Sequence, residues 1–198
     1  MVSVSSRPFL VLASASPRRR SLLEEAGYRV EVDPSGIDEP EPTEVVDPRF
    51  YAAELAWRKA FTVALRRADQ LVLAADTVCT VAGQLLNKPA DRADAERMIR
   101  LQEERLVDVV TALVLYRAGR DEWLGAVETS VVRMRRLSDA ERAAYLDSGL
   151  WVGKAGAYGV QDNDPIVEVE SGSWSNVVGL PLERLESLLE GPARGWWA

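Results

Sequence analysis

The sequence predicts an α/β protein with a central mixed β-sheet flanked by helices. Apolar runs of strand length alternate with segments of helical periodicity. One run, Leu71–Ala75, is apolar at every position, which suits a strand covered on both faces. Two long strand-like stretches, 107–116 and 123–134, are joined only by RAGRDE, which suits a hairpin. At 198 residues the chain suits one domain, residues 1–198, or one domain with two lobes.

Phe9–Ala13 reads as a buried strand and Pro17–Ala26 as a helix ended by Gly27. Tyr28–Val32 fits a second strand. Residues 31–47 hold seven carboxylates, no basic residue and prolines at 34, 40 and 42, and read as a loop. Asp47-Pro48, a cap and a first-turn proline, opens a helix to about Arg67. The apolar run from Leu71 is expected to end at Asp76. Val78–Leu86 turns at Ala82-Gly83 as a hairpin, and Asp91–Leu101 is helical. Ser138 and Glu141 form a capping box for a helix that ends near Gly149. A glycine-rich loop, VGKAGAYGVQD, leads into a strand at Ile166–Val169. A second loop, ESGSWSNVVGL, enters a last helix at Pro181–Leu189, and Trp196 and Trp197 are expected to tuck against the body or a second subunit.

Composition excludes several classes of function. A net charge of -7 gives no general attraction to a nucleic-acid backbone, so polymeric DNA or RNA is disfavoured as a partner. The chain has no histidine and one cysteine, Cys79, which removes Ser-His-Asp and Cys-His catalysis, the usual zinc sites and any internal disulfide. A metal would be held mainly by oxygen ligands, which points to Mg2+ or Mn2+. No apolar run approaches a membrane span and the N-terminus lacks a signal-peptide core, so a cytoplasmic location is expected.

The segment LASASPRRR raises a physical question. With Ser16 as N-cap and Pro17 at N1, Arg18 and Arg19 fall in the first helical turn, where the helix dipole disfavours cations. Free N–H groups, the Ser14 and Ser16 hydroxyls and two guanidinium forks would make a phosphate cradle there. The alternative is a solvated basic patch paired with Glu24 and Glu25 on the same helix.

Other candidates carry the same two-way reading. Asp76 after LVLAA is either a metal-binding or basic carboxylate at a strand end, or a turn-forming cap. Lys59 and Lys88, taken alone, read as surface charges, with Lys59 near the apolar side of its helix and able to snorkel. Glu39 belongs to the acidic loop, from which one carboxylate could close over a site as a metal ligand. Gln161 and Asp162 follow glycines that allow close backbone approach to a ligand, and a Gln amide can read a donor and an acceptor on a base.

Together, LVLASASPRRRSLL, AADTV, NKPAD, DVVTALVL, GKAGAYGVQD and SNVVGLPLERL occur in the order and spacing of the Maf family, which this chain resembles over residues 9 to about 190. The family is related in fold to the inosine triphosphate pyrophosphatases. The resemblance implies an elongated sheet, two lobes with a cleft between them, and often a homodimer. It implies hydrolysis of a nucleoside triphosphate to the monophosphate and pyrophosphate with a divalent cation. Asp76 matches the family's proton acceptor, and Arg18, Thr77 and Gln161 match positions that set substrate choice. Ser14, Arg19, Glu39, Lys59 and Lys88 match the polar lining of the cleft, and Glu39 and Asp76 are the metal-ligand candidates. The AADT form resembles the branch acting on dTTP and UTP. A purine or methylated-guanine nucleotide, or a nucleotide-sensing role in division, stands as the alternative. The chain departs from the family pattern at Val107, where a histidine is frequent, at Ala112 and at Asp162, where glycine is usual.

Overall fold

A computed structural model of the chain describes residues 7–40, 47–160 and 166–197. Seven strands form one mixed sheet: β1 (Phe9–Leu12), β2 (Arg29–Val32), β3 (Leu71–Val81), β4 (Gln84–Leu86), β5 (Leu106–Arg117), β6 (Glu122–Met134) and β7 (Val167–Ser171). Their spatial order is β2-β1-β3-β5-β6-β7, with β4 folded back on the far end of β3. Pairing is parallel from β2 through β1 to β3, and antiparallel from β3 onward. The helices are α1 (Pro17–Glu25), α2 (Pro48–Ala64), α3 (Arg92–Gln102), α4 (Asp139–Asp147), α5 (Trp174–Val178) and α6 (Leu182–Glu190).

The helix starts follow their local chemistry. Ser16 caps α1 with Pro17 in its first turn, Asp47 caps α2 ahead of Pro48, and Ser138 with Glu141 closes a full capping box on α4. The RAGRDE segment joins β5 to β6 in an unbroken antiparallel register from Leu106↔Arg133 to Arg117↔Glu122.

Two expectations are corrected. The strand that begins at Leu71 does not stop at Asp76; it runs eleven residues to Val81, the first arm of the hairpin that turns at Ala82-Gly83. The reason is pairing: β5 accompanies β3 from Leu71↔Arg117 to Thr80↔Asp108, so a single carboxylate does not end the ladder. The second loop, ESGSWSNVVGL, is also partly helical. Ser173 accepts from the Asn176 N–H and starts the short helix α5.

Side-chain alternation along β3 divides the core. Val72, Ala74 and Val78 pack with Leu55, Ala56, Ala60 and Val63 of α2 on one face. Leu71, Leu73 and Ala75 pack on the other face with Leu22 and Leu23 of α1 and Leu185 and Leu189 of α6, where Trp196 and Trp197 also settle. A third cluster, around Met98, Ile99, Val107, Val132, Met134 and Ile166, fills the end where α3 and α4 sit. The site depends on an interruption in the sheet. β1 pairs with β3 only at Val72 and Leu73, and β4 pairs with it only from Cys79 onward. On that edge the middle of β3, where Asp76 and Thr77 lie, has no neighbouring strand among the described residues, and a cleft opens beside it.

Candidate active site

The cleft encloses about 560 Å³. Ser14, Ser16, Arg18 and Arg19 line one wall, with Glu39, Lys59, Thr77 and Lys88 around it; Cys79, Gln102, Val109, Met134, Lys154 and Tyr158 extend it toward the third core cluster. Four cations, Arg18, Arg19, Lys59 and Lys88, therefore gather at one end, and the other end is mixed, with Val109 and Met134 beside Gln102 and Lys154.

The three arginines separate. Arg20 turns back one helical turn to Glu24 at 2.7 Å, as the solvated-patch alternative expects. Arg18 and Arg19 do not join it. Arg18 donates to the Gly153 carbonyl at 3.2 Å. Arg19 is held by three segments at once: Nη1 donates to Ser14 Oγ at 3.0 Å, Nη2 to Thr77 Oγ1 at 3.0 Å, and Nε to the Gly179 carbonyl at 2.7 Å. All three partners are neutral, so the guanidinium is fixed in place while no carboxylate among the described residues touches it. Burial pushes its pKa below the ordinary value; Asp76 and Glu39 oppose that shift and Arg18 adds to it. An anion bound between Arg18 and Arg19 would relieve both that burial and the unfavourable helix-dipole placement.

The backbone at 179, whose carbonyl holds Arg19 Nε, has a conformation that favours glycine. Gly179 has φ +121°, and a Cβ there would stand 3.4 Å from Thr77 Oγ1 and 3.5 Å from Arg19 Nε. Gly179→Ala is expected to weaken substrate binding about tenfold, because backbone strain at this positive φ shifts the carbonyl that holds Arg19. The check is KM alongside the urea unfolding midpoint, with KM changing by the larger factor.

A second polar group lies on the opposite face of β3. Period-2 alternation puts Asp76 on the α2 side and Thr77 on the α1 side. Lys59 of α2 is buried, and its Nζ lies 2.6 Å from Asp76 Oδ1 and 2.6 Å from Glu39 Oε1. Lys88 Nζ bonds the other Glu39 oxygen at 2.8 Å. The chain Lys88–Glu39–Lys59–Asp76 alternates in charge from the exposed rim to the buried strand. Lys59 is thus neither a surface charge nor a snorkelling one. Among the carboxylates of the acidic loop, Glu39 is delivered because that loop is tied at both ends. Asp33 is gripped by Arg66 and Arg67, and the Pro40 carbonyl accepts from Tyr51 Oη of α2 at 2.6 Å.

Burial acts to raise the Glu39 pKa, but hydrogen bonds and charge from Lys59 and Lys88 outweigh it and hold the carboxyl down at about 2, against an ordinary 4.5. A depressed carboxylate contributes stability that is complete above its unfolded value and disappears as pH falls through its folded value. The contribution of Glu39 is therefore expected to be lost between about pH 4.5 and about pH 2. Asp33, brought to about 2 mainly by its hydrogen bonds to Arg66 and Arg67, loses its contribution in the same range. The informative measurement is therefore the difference between wild type and Glu39→Gln. The variant should show a shallower fall in urea midpoint across that window, and parallel curves would refute the assignment.

No group of three or more His, Cys, Asp or Glu side chains able to hold a metal ion occurs among the described residues. The oxygens of Glu39 and Asp76 nevertheless converge on one cationic point, the Lys59 amine. That donor set fits Mg2+, which commonly takes one or two carboxylates and completes its shell with phosphate and water.

The structure thus brings Ser14, Arg18, Arg19, Glu39, Lys59, Thr77 and Lys88 to one cleft. Asp76 stands behind Lys59 rather than on the open wall. Gln161 and Asp162 lie outside the described residues. Sequence reasoning passed over Gln102, Lys154 and Thr111. Thr111 had a visible signal: it is a hydroxyl in the otherwise apolar run VVTALVLY. Gln102 had none, since it ends an amphipathic helix where a polar residue is ordinary. Its Nε2 donates to the Met98 and Gly156 carbonyls at 3.0 and 2.6 Å, and so ties the glycine loop to α3. Cys79, beside that loop, is buried, and desolvation raises its thiol pKa to about 12, which makes it a poor nucleophile.

Comparison with known proteins places the chain in a family. The family described as Maf-like protein matches residues 9–191. A protein of Rhodopirellula baltica named dTTP/UTP pyrophosphatase is 44% identical over 188 residues, spanning 91% of this chain and 81% of the relative. Proteins of the same name from Salinibacter ruber and Caulobacter vibrioides are 46% and 44% identical; the matches span 89% and 95% of this chain, and 87% and 97% of those relatives. With the match extending through every strand and helix that builds the cleft, the chain belongs to the Maf-like protein family.

Proposed function

We propose that this chain hydrolyses dTTP and UTP to the nucleoside monophosphate and pyrophosphate. The observation that carries the reading is the meeting, on the two faces of a β3 segment paired along one edge only among the described residues, of a cation set suited to a triphosphate and a buried carboxylate suited to accept a proton. Relatives named for that activity support it.

In this reading the triphosphate lies between the amino end of α1 and the Lys59–Lys88 pair. Arg18 and Arg19 bind its terminal phosphates, while the Ser16 and Arg19 N–H groups that the sequence offered for this are taken by the Ser14 and Ser16 hydroxyls. Lys59 and Lys88 then exchange carboxylate partners for phosphate oxygens, which frees Asp76 Oδ1. A water oxygen forms a bond to the α-phosphorus as the bond from that phosphorus to the β-bridging oxygen breaks. The water proton passes to Asp76, and pyrophosphate leaves with the bonding pair, its charge met by the arginines. A divalent cation, held by Glu39 and Asp76, would add Lewis-acid polarisation of the phosphates when bound.

The end of the cleft lined by Val109, Met134 and Tyr158 would take the base. Cytoplasmic location and a homodimer are part of the same reading. No described helix is long and apolar enough to cross a membrane. The apolar hollow at Phe50, Trp57 and Trp123 offers a surface for a second copy.

The test is a panel of nucleoside triphosphates with Mg2+ or Mn2+ and a readout of both products. Monophosphate and pyrophosphate in equal amounts from dTTP and UTP, ahead of purine nucleotides, is the expected result. Orthophosphate release, or preference for a purine or methylated-guanine nucleotide, would overturn it.

A further inference from the structure

We infer that Thr111, a residue that does not line the cleft, is a positioning residue for phosphate binding, acting through Thr77 on Arg19. The inference rests on the reading that Arg19 holds the phosphates and concerns how it is kept in place.

Thr77 and Thr111 are directly opposed in the β3–β5 register, and both point to the face that carries α1 and α5. Their hydroxyl oxygens are 3.0 Å apart. Thr111 is fully buried, and its hydroxyl also lies 3.1 Å from the Asn176 carbonyl in α5. Each hydroxyl has one proton. If Thr111 donates to Asn176, Thr77 must donate to Thr111, and the Thr77 oxygen is left facing Arg19 Nη2 as an acceptor at 3.0 Å. All three bonds are then short. The reverse order would have Thr111 donate to Thr77 and Thr77 to the Gly179 carbonyl, a contact of 3.5 Å at the outer limit of a hydrogen bond. It would also put Thr77 in competition with Arg19 Nε for that carbonyl, which Nε holds at 2.7 Å. The first order is therefore favoured, and the hydroxyl pair fixes the guanidinium.

Asn176 is itself anchored. Its Nδ2 donates to the Val109 carbonyl and to Ser130 Oγ, at 3.0 and 2.9 Å, which locks α5 onto β5 and β6. The relay thus begins on a rigid support and ends on the one arginine in the cleft that touches Ser14, Thr77 and Gly179 together.

Thr111→Val preserves shape and removes the hydroxyl. Thr77 then has only the Gly179 carbonyl to donate to, so its hydroxyl is no longer held in place by Thr111 as an acceptor for Arg19 Nη2, and Arg19 Nε must share that carbonyl. The expected effect is a roughly tenfold weaker Kd for inorganic tripolyphosphate by calorimetry. KM for dTTP should rise by a similar factor while kcat stays within about twofold. Thr111→Ser should restore both. In a Thr77→Val background, Thr111→Val should add nothing, because its effect runs through Thr77. Wild-type affinity in Thr111→Val, or a full further loss in the Thr77→Val background, would overturn the inference. Should Thr111→Val not fold, Thr111→Ala is read by the same two criteria. Tripolyphosphate binding needs no nucleotide turnover, so a wild type that binds it but leaves dTTP and UTP intact defeats only the functional reading. A wild type that turns them over beside an unaltered Thr111→Val defeats only this inference.

Discussion

Asp76→Asn is expected to lower kcat for pyrophosphate release by about a thousandfold while leaving nucleotide affinity nearly unchanged. The substitution keeps the volume and one hydrogen-bond acceptor for Lys59 Nζ, which stays ion-paired to Glu39 at 2.6 Å, so the cation set that binds phosphate remains in place. The amide cannot take the proton of the attacking water, and a positioned general base contributes about 10²- to 10⁴-fold. Single-turnover measurement of monophosphate formation beside equilibrium binding of dTTP separates the two effects. Equal losses in binding and turnover would mean that Asp76 only organises the cation set. Full activity would remove it from the chemistry.

The helix caps and the hairpin turn were readable because each depends on residues within a few positions of one another, and the mixed sheet because strands alternate with helices in some stretches and follow one another in long hairpins elsewhere. Ser138 with Glu141 and Asp47 with Pro48 need no tertiary information. The end of β3 was misread at Asp76 because a lone carboxylate after five apolar residues looks like a stop. Only the pairing of Thr77, Val78 and Cys79 with β5 carries the strand through it. The same continuation decides the site, since alternation then sends Asp76 toward α2 and Thr77 toward α1.

Lys59 shows a different limit. A lysine near the apolar side of a helix reads as a snorkelling side chain, and its burial becomes sensible only once Asp76 and Glu39 are known to flank it. Nor could the sequence choose Glu39 from seven carboxylates in one loop, because the choice depends on the anchoring of Asp33 and Pro40. Of the three arginines, only the fate of Arg20 was local. Arg18 and Arg19 are directed by carbonyls at positions 153 and 179, far along the chain.

The second large effect concerns stability, and it separates what the Lys59–Asp76 pair does for the fold from what it does for the chemistry. Both side chains are less than a tenth exposed. Lys59→Met is expected to cost about 3 to 5 kcal/mol in urea unfolding, because it strands the Asp76 charge in the core beneath α2. Glu39, on the exposed side, keeps Lys88. Lys59→Met with Asp76→Leu removes both charges and fills the space with apolar volume, against the Leu55, Ala56 and Val63 surface already there. Buried ion pairs replaced in this way are often neutral or stabilising, because two desolvation penalties vanish with the attraction. The double variant should therefore recover most of the lost stability and release no pyrophosphate. A double variant as unstable as Lys59→Met alone would make the pair a structural necessity. The expected result makes it a costly arrangement that the fold does not need, as the proposed roles of Asp76 as proton acceptor and Lys59 as phosphate-binding cation, 2.6 Å apart, would require.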